Sequence, residues 1–154
     1  MVSDRSPATP VPAVGIVCLR GDEVLLIRRG TPPRLGEWSL PGGRIEFGER
    51  AVDAALRELC EETGVQAEVF GLVDVVDGLF GDRHYVLIDY AARWIAGEPM
   101  AGDDAAEAAF FPVPEALARV AWSETRRVIQ AAVNLTASSL TPGPVSVARP
   151  ADPR

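Results

Sequence analysis

Three glutamates, Glu58, Glu61 and Glu62, stand close together near the end of one predicted helix. The pattern "ERAVDAALRELCEET" over 49–63, followed by glycine, predicts that helix, and the spacing puts the three carboxylates on one arc of its last turn. Negative charge at a helix C-terminus is unfavourable by roughly 0.3 to 1 kcal/mol per residue. A bound divalent cation would reverse that cost, and carboxylate oxygens at this spacing suit Mg²⁺ or Mn²⁺. These residues therefore predict a divalent-metal site.

An ordinary solvated helix face is the alternative, because Arg57 stands four residues before Glu61 and would neutralise part of the charge.

The composition excludes lysine-dependent chemistry and the usual structural zinc site. The 154-residue chain contains no lysine, since all 15 basic residues are arginine, so it has neither a P-loop lysine nor a Schiff-base lysine. One histidine and two cysteines do not make the usual structural zinc set. Phosphate must therefore be bound by arginine, by the backbone or by a metal.

The elements that must position these glutamates are several strands and a few helices. A hairpin over 13–29 turns at Gly21, and two short strands flank the turn at 41–43 before the helix. The remaining predicted elements are strands over 67–78, 83–95 and 108–113 and helices over 114–120 and 123–136. This order favours a mixed β-sheet with helices packed on it.

Composition also bounds the domain organisation and the partners. We expect one domain over 13–136, with flexible, proline-containing tails at 1–12 and 137–154. A net charge of −7 argues against electrostatic binding to a nucleic-acid backbone and favours a small molecule as the partner. No apolar run is long enough to span a bilayer and the N-terminus lacks a signal segment, so we expect no membrane contact and a cytoplasmic location.

The run "GRIEFGERAVDAALRELCEETGV" over 43–65 resembles the complete signature of the Nudix hydrolases. It matches all nine fixed positions across 23 residues, which makes a chance match negligible. The resemblance covers about 13–130, and it implies an α/β/α sandwich around a mixed β-sheet. Glu49 and Arg57 match a pair that is structural in this family and holds the loop against the helix.

The resemblance also implies roles for the acidic residues. Glu58 and Glu62 match the principal metal ligands of the family, and Glu61 matches the neighbouring carboxylate that binds another ion or its water. The backbone carbonyl of Gly43 often completes the metal shell in this family, and a glycine suits that close approach. The implied cofactor is Mg²⁺ or Mn²⁺.

The implied chemistry is hydrolysis of a nucleoside diphosphate linked to another group, with water attacking phosphorus. The carboxylate that accepts the proton of this water varies within the family, and some members take it from a loop beyond the central strands. The loop over 101–107 offers Asp103, Asp104 and Glu107. We favour Glu107 as an extra metal ligand or base, because it stands just before the strand predicted at 108–113. A merely solvated loop is the alternative.

Four further residues are candidates for substrate contacts. Arg28 and Arg29 end the second predicted strand, and a planar guanidinium can bind phosphate oxygens through two nitrogens, although only one of the pair need face inward. Trp38 is a candidate for stacking on a base, with core packing as the alternative. Phe80, in a possible turn between strands, is a candidate for contact with a base or a ribose.

The segment "GEPMAGDDAAEAAFFPVPEAL" over 97–117 resembles the corresponding part of small ADP-ribose pyrophosphatases, which implies hydrolysis of ADP-ribose to AMP and ribose 5-phosphate. A nucleoside-triphosphate pyrophosphatase that removes non-standard nucleotides is one alternative. A non-catalytic Nudix-like nucleotide sensor is another, and we favour an enzyme because such sensors usually lack one or more of the signature carboxylates. Small members of the family are often dimers, so a homodimer is left open.

Overall fold

The computed structural model describes residues 8–138 of the chain. Seven strands form one sheet and three helices pack on it. The elements in chain order are β1 (Val11–Arg20), β2 (Glu23–Arg29), β3 (Trp38–Ser39), β4 (Gly42–Arg44), α1 (Ala51–Thr63), β5 (Gln66–Phe80), β6 (Arg83–Ala96), β7 (Ala105–Pro112), α2 (Val113–Arg119) and α3 (Ser123–Ser138). None of the described helices is long and apolar enough to cross a membrane.

The sheet is mixed, as predicted. Its strand order is β3-β2-β1-β6-β5, with β4 paired to β1 and β7 paired to β2. The central pair β1 and β6 is parallel, and the other pairs are antiparallel. The predicted first hairpin is confirmed, with Leu19 opposite Val24 and Gly21 in the turn at a φ of +60°.

Apolar side chains on alternate positions of β1 separate two cores, because neighbouring strand residues point to opposite faces of a sheet. Ile16 and Cys18 are buried on the face covered by α1, together with Leu59 of that helix. Val17 is buried on the other face, where α3 contributes Ile129. The architecture is therefore the expected α/β/α sandwich.

The helix α1 begins later than the sequence predicts. Its first residue is Ala51 rather than residue 49, because Arg50 is extended and Glu49 is engaged in the preceding loop through its backbone N–H and its carboxylate. The predicted C-terminal cap is confirmed, since Gly64 adopts a φ of 70° and donates its N–H to the carbonyl of Cys60.

Two other boundaries differ from the prediction. Strand β7 starts at Ala105 rather than 108, because its pairing with β2 continues past an irregularity between Arg28 and Arg29. Strand β1 starts at Val11 and α3 ends at Ser138, each two residues outside the domain predicted over 13–136. Residues 1–7 and 139–154, where most of the two predicted tails fall, lie outside the described residues, and the division into one domain with two tails stays a prediction.

Candidate active site

The last turns of α1 lie directly against the turn that leads into β4. A Cβ added to Gly43 would lie 2.5 Å from the Glu58 carboxylate, so only glycine lets the backbone approach this closely. The neighbouring Gly42 donates its N–H to Oε2 of Glu62 at 3.2 Å. Two carboxylates of α1 are thus held at the backbone of the glycine turn.

Arg57 links the same helix to the loop before it. Its guanidinium donates two hydrogen bonds to the Glu49 carboxylate, at 2.7 and 2.9 Å, and one to the carbonyl of Arg44 at 3.1 Å. The remaining nitrogen, Nη1, donates to Glu58 at 2.9 Å and to Glu61 at 3.1 Å. This geometry supports the structural role that the sequence assigns to Glu49 and Arg57.

Burial raises the pKa of two of the three glutamates, Glu58 and Glu62. Glu62 is only 6% exposed, and its burial raises the pKa of this carboxyl to about 8 against the opposing effect of the Gly42 N–H. Burial also raises the pKa of Glu58, although the hydrogen bond from Arg57 lowers it. Among the described residues Glu62 forms no salt bridge. No direct ion pair within the described residues therefore offsets the desolvation of this carboxylate.

The acidic loop between β6 and β7 is attached to the C-terminal end of α1. Gly102 donates its N–H to the carbonyl of Glu62 at 3.0 Å, and a Cβ on Gly102 would lie 2.5 Å from the carbonyl oxygen of Glu61. The carbonyl of Asp104 accepts a hydrogen bond from Gly30 at 2.8 Å. These contacts place Asp104 beside the helix, where its charge acts on Glu62.

A cavity of about 670 Å³ opens beside these carboxylates, on the face of the sheet that α3 covers. Glu58, Glu62 and Asp104 belong to its wall, and so does Arg29, whose positive charge acts on Glu62. Arg29 also donates from Nε to a backbone carbonyl of the following loop at 2.6 Å. The cavity is of the size that small-molecule ligands occupy.

Two aromatic rings and one arginine form a cluster in the wall of the same cavity. The rings of Phe80 and Trp122 meet edge to face with centroids 5.3 Å apart. The guanidinium of Arg34 lies 5.4 Å from the centroid of Phe80 and 5.1 Å from that of Trp122. Flat, apolar surface next to a cation suits a nucleobase. The position of Phe80 is therefore compatible with the base contact proposed from the sequence.

Three residues predicted for the site lie elsewhere. Arg28 points away from the cavity that its neighbour Arg29 lines, because adjacent strand residues face opposite ways. Glu107 lies inside β7 directly opposite Arg28, with its Oε2 atom 2.5 Å from Nε of that arginine. Trp38 packs edge to face on Phe111 at 5.1 Å within the core under α2 and α3. Arg28, Glu107 and Trp38 therefore lie outside the wall of this cavity, and their roles at the site stay predictions.

Some residues of the cavity wall are absent from the sequence-based set. No sequence pattern links Trp122 and Arg34 to the signature, because both lie in loops outside residues 43–65. Asp89 did carry a signal, since it is a single acid inside the apolar strand "YVLIDYAA". Asp104 was recognised as an alternative to Glu107, and the structure favours it because it lies in the cavity wall.

The donor set fits a hard divalent cation. It consists of carboxylate and carbonyl oxygens only, and it contains the buried Glu62, which forms no salt bridge among the described residues. The absence of a side chain at Gly43 leaves the backbone open beside Glu58. As they stand, no three Asp, Glu, His or Cys side chains within residues 8–138 already surround one metal position. The hydrogen bonds from Arg57 to Glu58 and Glu61 account for this arrangement, because they direct those oxygens toward the guanidinium.

Comparison with known proteins agrees with this fold. The model of the NUDIX domain matches residues 9–132, and the chain therefore belongs to the Nudix hydrolase family. An ADP-ribose pyrophosphatase from Methanocaldococcus jannaschii is 39% identical over 104 residues, which are 66% of this chain and 62% of that protein. An 8-oxo-dGTP diphosphatase from Escherichia coli is 35% identical over 88 residues, which are 56% of this chain and 68% of the relative.

The match extends over only part of the length of these curated relatives. The chain spans 46% of the length of a putative mutator protein from Mycobacterium tuberculosis that is 36% identical over 115 residues and 71% of this chain. Among solved structures, a MutT NUDIX hydrolase from Burkholderia pseudomallei superposes with a TM-score of 0.70 and 28% identity, covering 80% of this chain and 98% of that one.

Proposed function

We propose that the protein catalyses divalent-metal-dependent hydrolysis of a phosphoanhydride bond in a nucleoside diphosphate derivative. The observation that carries this proposal is the pair Glu58 and Glu62, which lie against Gly42 and Gly43 of β4 and line a ligand-sized cavity. Burial disfavours the ionised form of both carboxyls, and among the described residues only Glu58 has an ion-pair partner, Arg57, that balances part of its charge. A divalent cation and the phosphates that it binds would supply that balance.

Each residue of the site has a specific part in this reaction. Glu58, Glu62 and the carbonyl of Gly43 would hold the cation, with Glu61 beside them. A bound Mg²⁺ or Mn²⁺ would neutralise phosphate charge and lower the pKa of the attacking water. Arg29 binds phosphate oxygens from the cavity wall. Asp104 faces the same space and is our candidate for the group that accepts the proton of the water.

ADP-ribose is the substrate that we propose first, cleaved to AMP and ribose 5-phosphate. The support is the similarity to the Methanocaldococcus jannaschii ADP-ribose pyrophosphatase and a cavity that combines arginines with an aromatic cluster. A nucleoside-triphosphate pyrophosphatase is the second candidate, favoured by the similarity to the Escherichia coli 8-oxo-dGTP diphosphatase. A cytoplasmic location and a homodimer stay predictions.

A substrate panel tests the proposal. Steady-state kinetics on ADP-ribose, NADH, diadenosine polyphosphates and the nucleoside triphosphates, with Mg²⁺, with Mn²⁺ and with chelator, gives the ranking of kcat/KM. We expect ADP-ribose to exceed any common triphosphate by at least about tenfold, or roughly 1.4 kcal/mol in transition-state binding. A triphosphate at the head of the ranking would replace ADP-ribose by the second candidate. Nucleotide binding without any metal-dependent turnover would indicate the sensor and refute the enzyme.

A further inference from the structure

Asp89 is a buried carboxyl in the middle of β6, and the reaction proposed above does not use it. The residue is 6% exposed and belongs to the wall of the cavity. Gly15 of the neighbouring strand β1 stands opposite it in register, and a Cβ on Gly15 would lie 2.2 Å from Oδ1 of Asp89. The missing side chain on β1 therefore makes the space that the carboxyl occupies.

The carboxyl of Asp89 has no partner for its oxygens within residues 8–138. No hydrogen bond or salt bridge to it is formed there, although burial without a partner costs free energy. Arg127 is the nearest source of positive charge, but its guanidinium is engaged by Asp74 at 2.7 Å and by Glu124 at 2.7 Å. A buried acceptor that faces a ligand-sized cavity is therefore available to a donor on the ligand.

The position within the cavity indicates which part of a nucleotide would meet this acceptor. The metal-binding carboxylates and Arg29 suit the phosphates, and the cluster of Phe80 and Trp122 suits the face of a base. Asp89 lies in β6 in the wall of the same cavity. Because a carboxyl oxygen accepts hydrogen bonds and a base carries its donors on its edge, Asp89 would meet the edge of a base rather than its face. The donors that such an edge offers are exocyclic amino groups and ring N–H groups.

We propose that Asp89 is a specificity-determining residue that accepts a hydrogen bond from the exocyclic amino group of the nucleobase of the substrate. This inference rests on the proposed function, since it takes the ligand to be a nucleotide. The amino group of adenine and the 2-amino group of guanine are the two purine sources of this chemistry. They correspond to the two substrate candidates, ADP-ribose and a guanine triphosphate.

A binding cycle tests the contact without relying on turnover. Dissociation constants are measured by isothermal titration calorimetry with Mg²⁺ for two matched ligand pairs. AMP is compared with purine riboside 5′-monophosphate, and GMP is compared with IMP, so that each pair differs only by the amino group. The protein variants are wild type and Asp89→Val, with Asp89→Leu as a second apolar variant. A branched apolar side chain suits a buried strand, and replacing an unpaired buried carboxyl should not impair folding.

Wild type should bind the amino-bearing member of one pair at least about tenfold more tightly, because the analogue leaves Asp89 unpaired. In Asp89→Val the two members of that pair should bind with dissociation constants within about twofold of each other. The change in the ratio from wild type measures the coupling between Asp89 and the amino group. The pair that shows the coupling identifies adenine or guanine. Asp53→Asn is the matched control, because Asp53 is an exposed aspartate of α1 that lies outside the cavity wall, and it should keep the wild-type ratio.

Equal ratios in wild type and Asp89→Val for both pairs, or no binding of any of the four ligands, would overturn the inference. Hydrolysis is measured on the same samples to keep the two proposals apart. Metal-dependent turnover with no coupling at Asp89 would refute only the base contact. A clear coupling without any turnover would refute the hydrolase proposal and leave the base contact in place.

Discussion

Arg57 and Glu49 form a bidentate salt bridge, in which Nε of Arg57 donates to Oε2 of Glu49 at 2.7 Å and Nη2 donates to Oε1 at 2.9 Å. The pair fixes the loop before α1 to the middle of that helix. Because Nη1 of the same guanidinium also reaches Glu58 and Glu61, one side chain couples the loop to the carboxylates that we propose as metal ligands. The hydrogen bond from Arg57 lowers the pKa of Glu49 and keeps it ionised for this purpose.

Arg57→Lys should therefore impair the enzyme although it keeps the charge. A single ammonium nitrogen cannot replace three guanidinium nitrogens directed at Glu49, Glu58 and Glu61. We expect kcat to fall by roughly tenfold or more and the unfolding temperature to fall by a few degrees. Arg119→Lys is the control, since Arg119 forms an exposed pair with Glu115 one helical turn away. Equal effects of the two substitutions would contradict the special role of Arg57.

Glu58→Gln and Glu62→Gln should each lower kcat by roughly two orders of magnitude or more and leave the fold intact. The amide keeps the size of the side chain but loses the charge that binds the cation. In chelator the unfolding temperature should rise, because burial raises the pKa of both carboxyls and an amide, which does not ionise, avoids the cost that this shift imposes on folding. Near wild-type turnover of both variants at saturating Mg²⁺ would refute the metal assignment. Circular dichroism and Glu115→Gln provide the controls.

Much of this site followed from the sequence because its residues are local. The signature runs through one loop and one helix. Helical spacing placed Glu58 and Glu62 on the same side, and the resemblance to the Nudix signature implied that Gly43 lies next to them. The central strands followed from their apolar runs. The surroundings of Glu107 depend on a strand boundary that differs from the prediction. Because β7 begins at Ala105 and not at 108, Glu107 lies inside the strand opposite Arg28.

The rest of the site depends on contacts between distant segments. Trp122 meets Phe80 only because the start of α3 lies over the end of β5. The carboxyl of Asp89 occupies the space where a side chain at residue 15 would lie, because β1 and β6 pair in parallel with Gly15 and Asp89 in register. Neither the strand order nor the register can be read from local periodicity, so these two features required the structure.

Gly43→Ala should reduce activity through sterics alone. The added methyl would lie 2.5 Å from the Glu58 carboxylate, so either the carboxylate or the turn must move. We expect a loss of roughly tenfold or more in kcat, together with weaker Mg²⁺ binding measured by calorimetry. Gly71→Ala is the control, because a Cβ there meets only a Leu135 methyl at 3.9 Å. Unchanged metal affinity in Gly43→Ala would show that the close approach is not required.

Asp104→Asn should lower kcat more than Glu107→Gln does. Asp104 lies in the cavity wall and its charge acts on Glu62, whereas Glu107 pairs with Arg28 on the outer side of β2. We expect roughly a tenfold or larger loss for Asp104→Asn, and an effect within about threefold for Glu107→Gln. Steady-state kinetics over pH 6 to 9 would measure both. The opposite order would restore the assignment that the sequence favoured.

The stability of the metal-free protein should fall as the pH rises from about 5 to about 8. Burial raises the pKa of Glu62 to about 8 and that of Asp89 to about 7, mainly by desolvation of the charged forms. The folded protein therefore keeps protons that the unfolded chain releases near pH 4 to 4.5, and the free energy of unfolding decreases through this window.

The stability loss should be roughly 2 to 5 kcal/mol, and it should be smaller in Glu62→Gln, whose amide binds no proton. Mg²⁺ binding requires ionised Glu62, so the metal should raise the unfolding temperature of wild type more at pH 8 than at pH 6. In Glu62→Gln this dependence of the metal effect on pH should be largely lost. Thermal unfolding is measured at three pH values, in chelator and then in excess Mg²⁺. These measurements give the pH dependence of the metal-free stability and the pH dependence of the stabilisation by Mg²⁺. A metal-free stability that is flat or rises over this range would show that Glu62 and Asp89 are ionised in the folded protein at neutral pH.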